Sequence, residues 1–193
     1  TAYRRERQMC IRDRLWPYLD DLADQLVNEL QLKKKLPDWI HAHYADAGYV
    51  GSLVSQRLAI PLVFTGHSLG REKQRRLLAA GVDHDQIEQT YSISRRIDAE
   101  ELALAHSELV ITSTRQEAEQ QYSRYGNYLY EKAEVVPPGV DASRFHSLQS
   151  KSEAKAVDDL LAPFLRNPEL PPLLTISRAV RRKNIPALIE AYG

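Results

Sequence analysis

Short apolar runs alternate with stretches of helical period along most of this chain, and that alternation restricts the fold more than any other feature. The runs at residues 38–43, 60–65, 109–112 and 133–136 are bounded by turn residues and read as strands. Between them, residues 49–58, 71–80, 84–92, 95–107 and 115–125 read as helices. Strands separated by helices cannot join through tight hairpins; they pair in parallel with right-handed crossovers. The expected fold class is therefore α/β with a parallel sheet.

Punctuation residues refine this reading. Leu15, Leu19, Leu22, Leu26 and Leu30 recur at spacings of three and four, an amphipathic helix to Leu32 with Asp20, Asp21 and Asp24 on its wet side. Lys33 to Lys35 close it and Pro37 cannot continue it. Tyr44 to Gly48 reads as a turn, Gly81 ends the helix before it, and Ser94 and Thr114 read as N-caps. After Pro137-Pro138-Gly139 the texture changes. Residues 146–172 carry one modest helix near 153–165, residues 173–176 read as a fresh strand, and Asn184 caps a helix over 185–192.

The polar residues at strand ends are the ones to weigh, because ligands of parallel α/β sheets sit there. From Pro61 to Lys73 a buried strand turns at Gly66, presents His67 and Ser68, and enters a helix carrying Arg71 and Lys73. A helix N-terminus with nearby cations is an anion site; it is equally an ordinary β-to-α connection. His41 and His43 flank Ala42 and are expected on opposite faces of their strand, which argues against a shared metal. Tyr44 and Asp46 lie just past that strand, and Arg95-Arg96 opens a later helix. If Tyr44, Ser68, Lys73 and an arginine converge they form a phosphate pocket; otherwise the arginines pair with Asp98 and Glu100 on a surface. Arg178 and Lys183, between a strand end and a helix start, could clamp a diphosphate or form a basic surface turn.

Other chemistries have little support. Neither the P-loop nor the dinucleotide glycine pattern is present, and no nucleophile triad is legible. Cys10 is the single cysteine, so no internal disulfide can form and a reducing, cytoplasmic setting is expected. Lysine plus arginine equals aspartate plus glutamate at 26 each, so no net field invites nucleic acid or membrane. No apolar run is long enough to span a bilayer.

These pieces, in this order, resemble the sucrose-phosphate synthases among the retaining GT-B glycosyltransferases (family 4 type). The resemblance runs through LWPY at 15–18, HAHYADAG at 41–48, TGHSLGR at 65–71 and LLAAG at 77–81. It continues through ISRRIDAE at 93–100, ITSTRQE at 111–117, PPGVD at 137–141 and residues 177–184. Residues 1–14 do not fit it. Their wording looks like translated sequencing adaptor, so they are left unassigned and read as foreign. The resemblance implies a partial N-terminal, acceptor-binding Rossmann-like domain over 15–141. Residues 142–193 would be a linker and the start of a second, nucleotide-sugar-binding Rossmann-like domain.

It further implies transfer of glucose from UDP-glucose to fructose 6-phosphate, giving sucrose 6-phosphate and UDP with retention and without a catalytic metal or other cofactor. His67 would orient the transferred glucose. Tyr44, Ser68, Lys73 and Arg95 or Arg96 would bind the acceptor phosphate, and Arg178 and Lys183 the donor diphosphate. A phosphatase acting on sucrose phosphate would be a partner or a fused domain. The family's glycine-rich loop is expected before this chain and its Glu-x7-Glu motif after it, so the chain alone is expected to be inactive. The rival readings are sucrose synthase, a GDP-mannose-dependent transferase making mannosylfructose phosphate, and a non-catalytic sugar-phosphate-binding domain.

Overall fold

The computed structural model describes residues 15–147, 150–167, 170–171, 173–180 and 183–192. Four short strands form one sheet: β1 (Ile40–His43), β2 (Leu62–Thr65), β3 (Ser107–Thr112) and β4 (Ala133–Val135). All three pairings are parallel, and the order in the sheet is the order in sequence. His43 lies opposite Thr65, so β1 and β2 end level with each other.

Helices supply the crossovers. A 3-10 turn (Trp16–Tyr18) leads into α1 (Leu19–Leu32). Next come α2 (Tyr44–Leu58) between β1 and β2, then α3 (Gly70–Ala79), α4 (His84–Tyr91) and α5 (Ile93–His106) between β2 and β3. The β3–β4 connection contains a π turn (Glu117–Gln121) and two 3-10 turns, Tyr122–Arg124 and Tyr130–Lys132. Thr114 caps this segment as its sequence suggests: its Oγ1 accepts from Glu117 N at 3.1 Å, while Glu117 Oε2 accepts from Ser113 N at 2.7 Å.

Burial follows position in the sheet. All four residues of β2 are buried, as expected for a strand covered on both faces. Phe64, Leu69, Ile87, Ile93, Ala103, Val110 and Tyr122 form the main core. A second cluster joins Trp16, Leu19 and Ala23 to Ala45, Val50, Val54 and Ala99.

Three local expectations are corrected. Tyr44–Gly48 is the first turn of α2, not a loop: the chain passes from extended His43 straight into the helix, with Tyr44 at φ +70°. Gly48 is there for closeness of approach. A Cβ at that position would lie 2.7 Å from Phe64 Cε2 and 3.0 Å from Ala103 Cβ. The cap of α5 is Ser92, at φ +43°, rather than Ser94; Glu88 Oε2 instead accepts from the N–H and hydroxyl of Ser94 at 3.0 and 2.8 Å. Residues 173–176 form no strand, and Leu173, Leu174 and Ile176 are exposed. A strand exists only through a neighbour to pair with, and among the described residues these have none.

The contacts divide into two units, one ending at Gly139 and one beginning at Val140. The sheet lies wholly in the first. The described part of the second holds α6 (Lys151–Leu161), a 3-10 turn (Ala162–Phe164) and α7 (Ile185–Tyr192).

Gly48→Ala should destabilise the chain by about 1–3 kcal/mol, since Phe64 and Ala103 must move to admit the methyl. Urea denaturation followed by circular dichroism measures this.

Candidate functional site

Side chains two residues apart on a strand share a face. His41 and His43 therefore stand together, not on opposite faces as the sequence reading had it, and their ring centroids are 4.2 Å apart. His43 Nδ1 lies 2.8 Å from His67 Nε2, and His41 Nε2 lies 2.9 Å from Thr65 Oγ1. Tyr44 flanks the far member, 4.8 Å from the His67 ring. A row of aromatic side chains thus crosses the carboxyl ends of β1 and β2. Among the described residues, no group of three or more His, Cys, Asp or Glu is arranged to hold a metal ion.

Tyr44 and His67 both have left-handed backbones, at φ +70° and +55°. For side-chain-bearing residues this costs on the order of 1–3 kcal/mol each and persists only where surrounding contacts enforce it. Burial, with His43 and His67 adding charge repulsion, holds the His41 pKa below its ordinary 6.5.

Beyond Gly66 the chain turns into α3. Gly66 N donates to the Tyr122 hydroxyl at 2.7 Å, and a Cβ on Gly66 would lie 2.5 Å from Leu69 Cδ2. Gly70 N then donates to both carboxylate oxygens of Glu100, at 2.8 and 3.1 Å, and Arg71 N donates to the Tyr125 hydroxyl at 3.0 Å. Glu100 is fully buried. It also accepts from Arg96 Nε at 3.0 Å and from the Tyr125 hydroxyl. Of the two readings of this helix start, the structure favours the ordinary β-to-α connection: the protein's own carboxylate already takes its first N–H. Burial pushes the Glu100 carboxyl up, while Arg96, the Tyr125 hydroxyl and Gly70 N pull it back. The Tyr125 hydroxyl is pushed up by burial and by Glu100.

The sequence candidates fall into separate groups. Tyr44, His67, Ser68 and Arg96 form a connected set, because the Arg96 guanidinium donates to the Ser68 carbonyl while its Nε holds Glu100. Arg95 turns elsewhere, its guanidinium 5.6 Å from the Trp16 ring and 3.5 Å from the Trp16 carbonyl. Neighbours on a helix point about 100° apart, so only one of the two can face this site. Lys73 lies one turn along α3, with Nζ 3.4 Å from the centroid of the Tyr91 ring. Arg71 pairs with Glu101 at 2.7 Å. Arg178 and Lys183 are exposed and belong to the second unit.

Two elements escaped the sequence reading. The histidine row was readable from the two-residue spacing of His41 and His43. The Glu100–Tyr125 pair was not, since its members are 25 positions apart on different elements.

The sheet and its crossovers are shared with a solved structure, the sucrose-phosphate synthase of Thermosynechococcus elongatus. The two superpose with a TM-score of 0.66 over 94% of this chain and 40% of that one, at 22% identity. That likeness concerns the fold, and the fold is a partial Rossmann-like domain of the GT-B type. The family described as the sucrose synthase first GT-B domain matches residues 3–141, and the chain belongs to that family of glycosyltransferases. Sucrose-phosphate synthase of Zea mays, and probable ones of Vicia faba and Solanum tuberosum, are each 36% identical over 94% of this chain. The chain spans 22% of the length of each.

Two outcomes follow. Glu100→Ala leaves Gly70 N, Arg96 and the Tyr125 hydroxyl without their acceptor and should cost about 3–5 kcal/mol in chemical denaturation. His41, with its folded pKa below 6.5, contributes stability that is present above that pH and is lost as pH falls through the folded value. Melting temperature followed from about pH 8 to pH 5 should decline on the acid side, and His41→Asn should flatten the decline.

Proposed function

We propose that the chain is the acceptor-binding part of a hexosyltransferase that moves glucose from UDP-glucose to fructose 6-phosphate, yielding sucrose 6-phosphate and UDP with retention. The observation that carries this reading is the meeting of Tyr44, His67, Ser68 and Arg96 beside the ends of β1 and β2. Arginine presents several N–H donors in a plane suited to phosphate. With the α3 N-terminus filled by Glu100, phosphate recognition rests on side chains: Arg96, the Ser68 and Tyr44 hydroxyls and Lys73. Arg95 leaves the acceptor set, because it stands about 100° round α5 from Arg96, on the side of Trp16; Lys73 joins the set by swinging off the Tyr91 ring.

His67 orients the transferred glucose, and Arg178 and Lys183 stabilise charge on the departing diphosphate. Departure and attack occur on one face of the sugar, and the leaving phosphate oxygen takes the acceptor's proton. The protein supplies cations for this step, so the chemistry needs no metal or other cofactor. The setting is cytoplasmic, and the phosphorylated product calls for a phosphatase to follow.

Calorimetry of the chain with fructose 6-phosphate, fructose and UDP tests the reading. Fructose 6-phosphate should bind and fructose should not. Lys73→Ala should weaken the phosphate ester about tenfold, the worth of one charge-assisted hydrogen bond. Equal binding of both sugars would overturn the phosphorylated acceptor in favour of a sucrose synthase-like one. Because the chain spans 22% of its relatives' length, turnover by the chain alone is not expected. Sucrose 6-phosphate formed by the purified chain would refute that.

A further inference from the structure

His43 has no role in the reading above, yet it makes the one side-chain hydrogen bond to His67 among the described residues. The gap between His43 Nδ1 and His67 Nε2 is 2.8 Å, which leaves room for a single proton. One ring must donate and the other accept; if both rings carry both protons, two N–H groups face each other and the contact is lost. The ring centroids are 5.0 Å apart, so with 2.8 Å between the nitrogens the two rings point these atoms at each other.

The pair is braced from β1 and β2. His41 stacks on His43 at 4.2 Å and is itself tied to Thr65 at the end of β2. Tyr44, at the start of α2, covers His67 from the other side. The nearest carboxylate in that turn, Asp46, accepts the N–H of Ala47 at 3.0 Å. His67 itself is exposed, on a turn with a left-handed backbone. Without such contacts its ring would be free to rotate.

We propose that His43 is a positioning residue for His67: the hydrogen bond between them fixes the orientation of the His67 ring and ties its tautomer to that of His43, leaving its Nδ1 edge as the one presented to a bound sugar. The inference rests on the reading of His67 as the group beside the transferred glucose.

Nitrogen-15 NMR of the histidine side chains in the 193-residue chain tests this. The parent should show a scalar coupling across the His43–His67 hydrogen bond, and three-bond couplings should show one side-chain rotamer at His67. His43→Leu should release His67 into several rotamers. His43→Asn places an amide atom as many bonds from Cα as Nδ1, able to donate or accept, and should retain the single rotamer. Absence of the coupling in the parent, or a single His67 rotamer in a folded His43→Leu chain, overturns the proposal. Mixed rotamers in His43→Asn overturn it even where the leucine variant does not fold. Coupling present without fructose 6-phosphate binding would sink the acceptor reading and leave the histidine pair standing.

Discussion

One buried carboxylate holds the strand-end region of this sheet together. Glu100 reaches from α5 to the first N–H of α3, to Arg96 one turn back on its own helix, and to the Tyr125 hydroxyl. A charge fully removed from water is tolerable only with partners on every side, and a network of that kind fixes geometry more than it adds stability. Here it fixes where α3 begins relative to α5. Ser68 before that start and Lys73 after it, together with Arg96, inherit their positions from it. It also consumes the helix-terminus donors that would otherwise attract an anion, so in the proposed reading recognition of a ligand phosphate passes to side chains.

Internal carboxylates recur at the helix starts around this site. Glu88 satisfies Ser94 at the start of α5, and Glu117 closes the capping box on Ser113. Farther along, Glu101 takes the backbone N–H groups of Gly126 and Asn127 at 3.0 Å each while pairing with Arg71. Acidic residues are therefore drawn inward, and the Arg-rich α3 and the start of α5 are balanced locally. This is how a chain with no net charge carries a basic strand-end region.

The strain lies elsewhere, in the row from His41 to His67. Tyr44 and His67 adopt backbones that side chains disfavour, and both rings belong to the row. Backbone strain held by surrounding contacts is a feature of sites that must present a group in one orientation. In the proposed hexosyl transfer the imidazole beside the sugar has that requirement, since a small displacement of a reacting group costs rate steeply.

Local rules in the sequence were enough for the parallel α/β class, most strand and helix positions, the Thr114 cap and the candidacy of His67, Ser68 and Arg96. Each depends on periodicity or on neighbours within about one turn of the chain. Gly48 was misjudged because glycine signals either a turn or a close approach, and only Phe64, brought in by β2, decides between them. The run at 173–176 has the composition of a strand, but strand formation needs a partner that composition cannot supply. His41 and His43 lay within reach of the two-residue period, whereas their meeting with His67 depended on β1 and β2 pairing so that both ends fall level. The choice of Arg96 over Arg95, and the filling of the α3 terminus by Glu100, were decided by tertiary structure alone. Both follow from the rotation of α5 about its axis, which is set by burial of Ile93, Ile97 and Leu104 against residues distant in the chain.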